Sequence, residues 1–407
     1  MSSTGPGDEF PFFDLGKVLG GAGGGDPWAS AAELAAAIAS EGGREPNLDP
    51  VARMRLEDLS RVAELHVAQA TGITLPSNTV VTPVTRSEWT RRSVATFRPL
   101  FERFGEALGA SMTEQPAPPG DPFGAMLGQL FQSLGPLLVS ASAGSMLGHL
   151  GHRALGSYEL PIPRSSGEVL IVAPNVDEAA VEWDVPADEL RLWVLVHELT
   201  AHAVLSVPHV GRRLDSLLID YASAFRPNPD LIAEMFGSFT DLSDLSKLQE
   251  MGESLNDPEL LLTVMRSPAH DLLVPQFDAL VAAVLGFVDY TVDEICRGLV
   301  GAEQRIRERF RQRTVDVGPA DRFMERLLGL DITATTFRRG DGFIDGVVAR
   351  AGDEGLARVW ADELDLPTSA EVDAPGLWLA RIGLDGDVGG DDLGRDVPDD
   401  LSGLDDL

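Results

Sequence analysis

The chain has 407 residues, 44% of them hydrophobic, and a formal net charge of −32. That length can bury a sizeable core, and the apolar content is ordinary for a globular protein. The charge argues against a nucleic-acid partner, because phosphate binding needs clustered Lys and Arg; solubility in a crowded cytosol accounts for it. Cys296 is the single cysteine, so no intrachain disulfide can form and a reducing, cytoplasmic compartment is expected. The opening MSSTGPGDEFPFF lacks the basic and apolar regions of a signal peptide.

In chain order, residues 1–27 are Gly-rich (GGAGGGDP) and read as a flexible N-terminus. Two amphipathic helices follow, ASAAELAAAIASEG and PVARMRLEDLSRVAELHVAQATG. In the second, Met54, Leu56, Leu59, Val62, Leu65 and His66 recur at helical spacing, and His66 is expected in the core. SEWTRRSVATFRPLFERFGEAL is a third helix, with Ser87 as N-cap and Glu88 in its first turn. From Pro122 to His152 there is no charged residue. Pro136 divides this stretch, which reads as a buried helical pair rather than a membrane span. Gly144 and Gly148 within it form a step that lets another helix approach closely.

GEVLIVAPNV gives the one convincing strand, Glu168 to Ala173. A helix starts near Pro186, carries HELTAH (His197 to His202) and stops near Val207-Pro208. More helices run to about residue 365. Residues 28–382 are expected to form one compact, mainly α unit, and 383–407 a disordered acidic tail with nine Asp and one Arg from Asp385 onward.

HELTAH is the chemically informative stretch. Zinc peptidase helices read H-E-x-x-H, which puts two imidazoles about 40° apart on one helix face, with the Glu positioned to polarise a zinc-bound water. Here the histidines are His197 and His202, five apart and so about 140° apart on a regular helix. One ion cannot take both unless a π-bulge returns them to one face. Without more context, a buried His-Glu pair in a helix is the simpler reading. His149 and His152 are expected at packing or surface positions, His270 facing solvent, and Cys296 without a catalytic role.

Several segments supply that context. GPLLVSASAGSMLGHLGHRALGSYELPIPR, LIVAPNVDEAAVEWDVPADELRLWVLVHELTAH and LVAAVLGFVDYTVDEI, with RLLGLDITATTFRRGDGFIDGVVARAG and ARVWADELDLPTSAEVDAPGLWLARI, resemble a mostly actinobacterial family of zincin-like metallopeptidases. Part of that family is labelled as associated with deazaflavin cofactor biosynthesis. The resemblance spans most of residues 15–382. It implies a mainly α, zincin-like helical domain with a short edge strand before the active-site helix. In zincins such a strand can pair with an extended peptide or protein segment. It also implies zinc, a general base at Glu198 and a first ligand at His197. The sequence departs from the pattern at the other two ligand positions, occupied by Ala201 and by Leu285 in LGFVDYTVD. Neither can coordinate a metal. The resemblance therefore implies either a silent, binding-only homologue with no zinc, or an active hydrolase with rearranged ligands: His197, His202 and a carboxylate such as Asp289. A partner subunit of an active paralogue is a third reading. No nucleic-acid or membrane partner is expected.

Overall fold

Proline and aspartate set the helix starts. In the computed structural model, which describes residues 26–113, 122–164, 166–226, 266–318, 322 and 325–384, α1 (Pro27–Ala39) begins where the Asp26 carboxylate accepts the Trp28 N–H at 3.1 Å. Helix α2 (Pro50–Thr71) begins the same way, Asp49 accepting from Val51 at 3.1 Å, and stops at Gly72 with φ of 64°. In both, proline sits at the first position, where its missing N–H costs nothing. The Gly-rich N-terminal stretch before Asp26 and the acidic tail from Asp385 lie outside the described residues.

Among the described residues two strands, β1 (Val80–Val84) and β2 (Glu168–Val172), pair in parallel from Val80–Glu168 to Val84–Val172. β2 ends one residue earlier than the sequence suggests. β1 is a strand that sequence reasoning missed, because Pro83 lies inside it and proline removes a ladder donor.

Helix α3 (Arg86–Thr113) starts one residue before Ser87. Thr85 supplies the capping hydroxyl, accepting the Glu88 N–H at 3.3 Å, and the Glu45 carboxylate accepts from Arg86 and Ser87. Helix α4 (Pro122–Arg153) runs unbroken through Pro136, so the expected helical pair is one long helix. A lone internal proline removes one hydrogen bond and bends the axis; the flanking turns continue the helix.

After β2 come α5 (Ala173–Glu182), α6 (Ala187–Leu205), α7 (Pro208–Ser223), α8 (Pro268–Cys296), α9 (Glu303–Val315), α10 (Ala334–Arg358) and the short α11 (Ser369–Asp373) and α12 (Pro375–Arg381). The architecture is mainly α. One apolar cluster runs from Trp28 in α1 to Leu379 in α12.

Glycines set the close helix crossings. A Cβ on Gly144 would sit 2.6 Å from the Ala31 carbonyl oxygen, and one on Gly148 would sit 2.7 Å from Ile38 Cβ, so α1 lies directly on α4. The same holds for Gly286 of α8 and Gly340 of α10, whose added Cβ atoms would meet each other's backbones. Helix α2 buries a different face from the expected one. Leu56, Ser60, Ala63, Val67 and Thr71 turn inward, whereas Met54, Val62 and Leu65 are exposed and His66 is half-buried. Small residues on the inner face let α2 come close to α6, and proximity won over side-chain hydrophobicity.

Among the described residues one helix, α8, is long and apolar enough to cross a membrane, and 56% of its apolar window is buried within the fold. A uniformly apolar helix of that kind suits a core position.

Candidate functional site

Helix α6 carries HELTAH through the centre of the molecule. From Trp193 to Leu205 every side chain is buried, as befits a helix with neighbours on all sides. Its backbone stays α-helical from Ala187 to Leu205, so His197 and His202 keep the wide angular separation of a regular helix.

Their surroundings differ accordingly. The His197 ring stacks on Trp193 (centroids 5.4 Å apart, planes 15° apart) and lies 4.6 Å from the Phe310 ring of α9. Its Nδ1 is 3.3 Å from Glu198 Oε1. His202 faces the sheet side. Its Nδ1 is 2.6 Å from the Tyr158 hydroxyl and its Nε2 is 3.0 Å from Thr79 Oγ1. Burial, helped by the positive charge of Arg164, depresses the His202 pKa to about 4, so the ring is neutral at physiological pH.

Glu198 is 2% exposed, and its Oε2 accepts the Tyr158 backbone N–H at 2.7 Å. Against it lies Gly156, where an added Cβ would stand 2.3 Å from the Glu198 carboxyl carbon. The segment carrying Gly156 and Tyr158 thus lies against Glu198. It is well anchored. The Trp89 indole donates to Gly156 O at 2.8 Å, and Asn175 donates to the Gly151 and Ala154 carbonyls. Arg313 of α9 donates to both Glu159 oxygens at 2.8 and 2.9 Å. Although burial opposes ionisation of Glu159, Arg313 and Arg153 hold its pKa below the usual carboxylate range.

The same segment closes the second edge of β2. Val172 N–H donates to Leu155 O at 2.9 Å, Leu170 N–H donates to Ser157 Oγ at 2.8 Å, and Gly156 bridges Ile171 in antiparallel fashion. With β1 on its other side, β2 offers no free edge to an extended peptide.

Ala201 and Leu285, expected at two ligand positions, are apolar and packed into the fold. Ala201 is 4% exposed, and Leu285 packs half-buried against the core. Asp289, one turn beyond Leu285 on α8, is committed elsewhere. Arg311 of α9 donates to its Oδ2 at 2.7 Å and makes a two-pronged contact with Asp341 at 2.6 and 2.9 Å. Burial pushes the Asp289 pKa up, and Arg311 and His197 pull it back.

Among the described residues no group of three or more His, Cys, Asp or Glu is placed to hold a metal ion. A tetrahedral zinc needs at least three protein donors converging at about 2.0–2.3 Å. His197 packed against two aromatic rings, His202 spanned by two hydroxyls and Asp289 bound to arginine do not fit that set.

The other histidines are structural or superficial. His149 and His152 are exposed, His152 lying 3.6 Å from Glu41. His209 is half-buried. His270 is buried, contrary to its expected solvent position: it caps α8, its Nδ1 accepting the Ser267 N–H at 3.0 Å, between Tyr221 and Phe225. Burial pushes the Cys296 thiol up to about 12, away from nucleophilic reactivity.

Tyr158, Thr79, Arg164 and Phe310 were not singled out by sequence reasoning. Tyr158 and Arg164 lie in SYELPIPR, but no spacing rule links that stretch to a helix 40 residues later.

These features define a class: a mainly α fold with a central His-Glu helix preceded by a short parallel strand pair. The family profile of the zincin-like metallopeptidases matches residues 27–379, and the chain belongs to that family. In fold it is similar to a crystal structure of a Chloroflexus aurantiacus protein provisionally described as a hydrolase with a novel fold. The TM-score is 0.56 at 20% identity, covering 88% of this chain and 99% of that one. Comparison with curated proteins gives no match.

Proposed function

We propose that the chain is a catalytically silent zincin-like metallopeptidase homologue that acts by binding a peptide or protein segment. The observation that carries this reading is the separation of His197 and His202 into unrelated surroundings, with Glu198 held by the Tyr158 N–H. A general base needs a metal-bound water beside it, and here a backbone amide takes the carboxylate. Apolar Ala201 and Leu285 at the other two ligand positions support the same conclusion. The partner does not add along β2, whose edges are both engaged, and approaches instead at the outer end of α6 beside His202. The acidic charge and single buried cysteine are in keeping with a cytoplasmic protein and no nucleic-acid partner.

The test is metal content. After dialysis against buffer with trace zinc, the purified chain is expected to retain substoichiometric zinc by elemental analysis. One zinc per chain that disappears in both His197→Ala and His202→Ala would overturn the proposal. It would establish the alternative: an active hydrolase using His197, Glu198 and His202 with a rearranged helix.

A further inference from the structure

A cavity of about 280 Å³ opens beside the outer end of α6. Arg164, Ser166, Asn78, His202, Ser206 and Gly211 are among its lining residues, and Asn78 stands exposed at its mouth. Among the described residues no Asp or Glu lines it, in a chain whose net charge is −32.

Arg164 is the unusual member. Its guanidinium carbon lies 4.6 Å from the Phe97 ring centroid, 5.8 Å from that of Tyr158 and 5.9 Å from that of Trp89. Its Nε is buried with no hydrogen-bond partner among the described residues. Among the described residues it forms no ion pair, and the carboxylate whose field it feels, Glu198, is bound to the Tyr158 amide. Burial lowers its pKa to about 10, which still leaves it charged at neutral pH. A cation held this way loses hydration that three ring faces restore only in part. The other arginines of the site show the contrast. Arg311 sits on the Asp289 and Asp341 carboxylates and Arg313 on that of Glu159.

The rest of the wall suits an anion. Asn78, Ser166 and Ser206 bring side-chain donors. The first turn of α7 reaches the cavity through Val207 and Pro208, and its N-cap residue Val207 provides no side-chain acceptor for the terminal amides.

We propose that this cavity binds a single carboxylate group, held by Arg164. One guanidinium balances one negative charge, and its planar fork matches a carboxylate. A phosphate ester carries about 1.5–2 charges, which would leave negative charge uncompensated within an already acidic molecule. The volume falls at the small end of ligand pockets, with room for one terminal residue. The carboxylate can come from a peptide C-terminus or from a free small acid. This site deepens the binding reading above and needs no zinc.

The test uses ¹⁵N-labelled full chain in EDTA, so that a metal-bound carboxylate cannot mimic the result. The Arg164 Nε–H and the Ser166, Gly167 and Gly211 amides are followed during titration with acetate, N-acetyl-Ala-Ala, its C-terminal amide and inorganic phosphate. Saturable shifts are expected with acetate and the free-acid peptide, with binding at least about tenfold weaker for the amide and for phosphate. A peptide tighter than acetate identifies a C-terminus as the source; equal affinities identify a free small acid. Arg164→Gln should abolish the shifts. Ser206→Asp, which keeps Arg164 and places a carboxylate at the cavity wall, should abolish them too. The proposal is overturned by absence of saturable shifts in the parent chain, by phosphate binding as tightly as acetate, or by undiminished binding in Ser206→Asp.

Discussion

His202 engages two hydroxyl groups and stays neutral because burial and Arg164 both disfavour its charged form. Its folded pKa of about 4 lies below the ordinary 6.5. The stability linked to this neutral ring is therefore fully present above pH 6.5 and is lost as pH falls through about 4. The displacement corresponds to about 3 kcal/mol. In His202→Gln the stability deficit relative to the parent should shrink steadily between pH 7 and pH 4, measured by urea unfolding. Parallel pH profiles would show that His202 is not the group titrating. The comparison with a variant is needed because Asp293, pushed up to about 6 by burial despite Arg307, has the opposite sign: its contribution is present at low pH and lost as pH rises through about 6. Gly156 offers a second residue-scale test. Gly156→Ala forces a methyl onto the Glu198 carboxyl and should destabilise by roughly 1–3 kcal/mol, the usual range for overpacking. Most of that loss should be recovered in the Glu198→Ala background, because the colliding atoms are gone. Simple additivity of the two changes would mean that Gly156 is required for another reason.

Among the described elements, the closest glycine crossing is that of α8 and α10. A Cβ on Gly340 would lie 2.1 Å from the Ala282 carbonyl oxygen. Backbone cannot yield as a flexible side chain can, so Gly340→Ala should cost roughly 2–3 kcal/mol. Gly342→Ala, two residues on and facing open space, should be neutral or slightly stabilising, since alanine favours helix over glycine. Equal melting temperatures for the two variants would refute this picture of the crossing. The two close helix contacts differ in how visible they are beforehand. Gly144 and Gly148 announce themselves by their spacing within one helix. Gly286 and Gly340 belong to different helices and share no local pattern. The inward face of α2 departs from the apolar periodicity for a related reason: Ala63 and Ser60 are poor hydrophobes, and what selects them is the proximity of α6, which periodicity does not contain.

In the molecule as a whole, what could be read in advance was what is local. The HELTAH helix, β2 and the limits of α2 follow from capping, periodicity and turn residues. The placing of Ala201 and Leu285 at ligand positions comes from resemblance to the metallopeptidase pattern. The hydroxyl bridge on His202, the Tyr158 amide on Glu198 and the Trp89 and Phe97 rings against Arg164 join residues 40 or more apart in sequence. Nothing in residue order encodes those meetings. The strand pair has the same long-range character, and it bears on how the chain is made. β1 leaves the ribosome about 90 residues before its partner, a delay of roughly 5–20 s at ordinary rates of synthesis. Throughout that interval VVTPV is an apolar segment with no strand to join. Pro83 withholds one backbone donor from any stray neighbour. The residue that hid the strand from sequence reading thus guards the nascent chain against pairing with the wrong partner before β2 arrives.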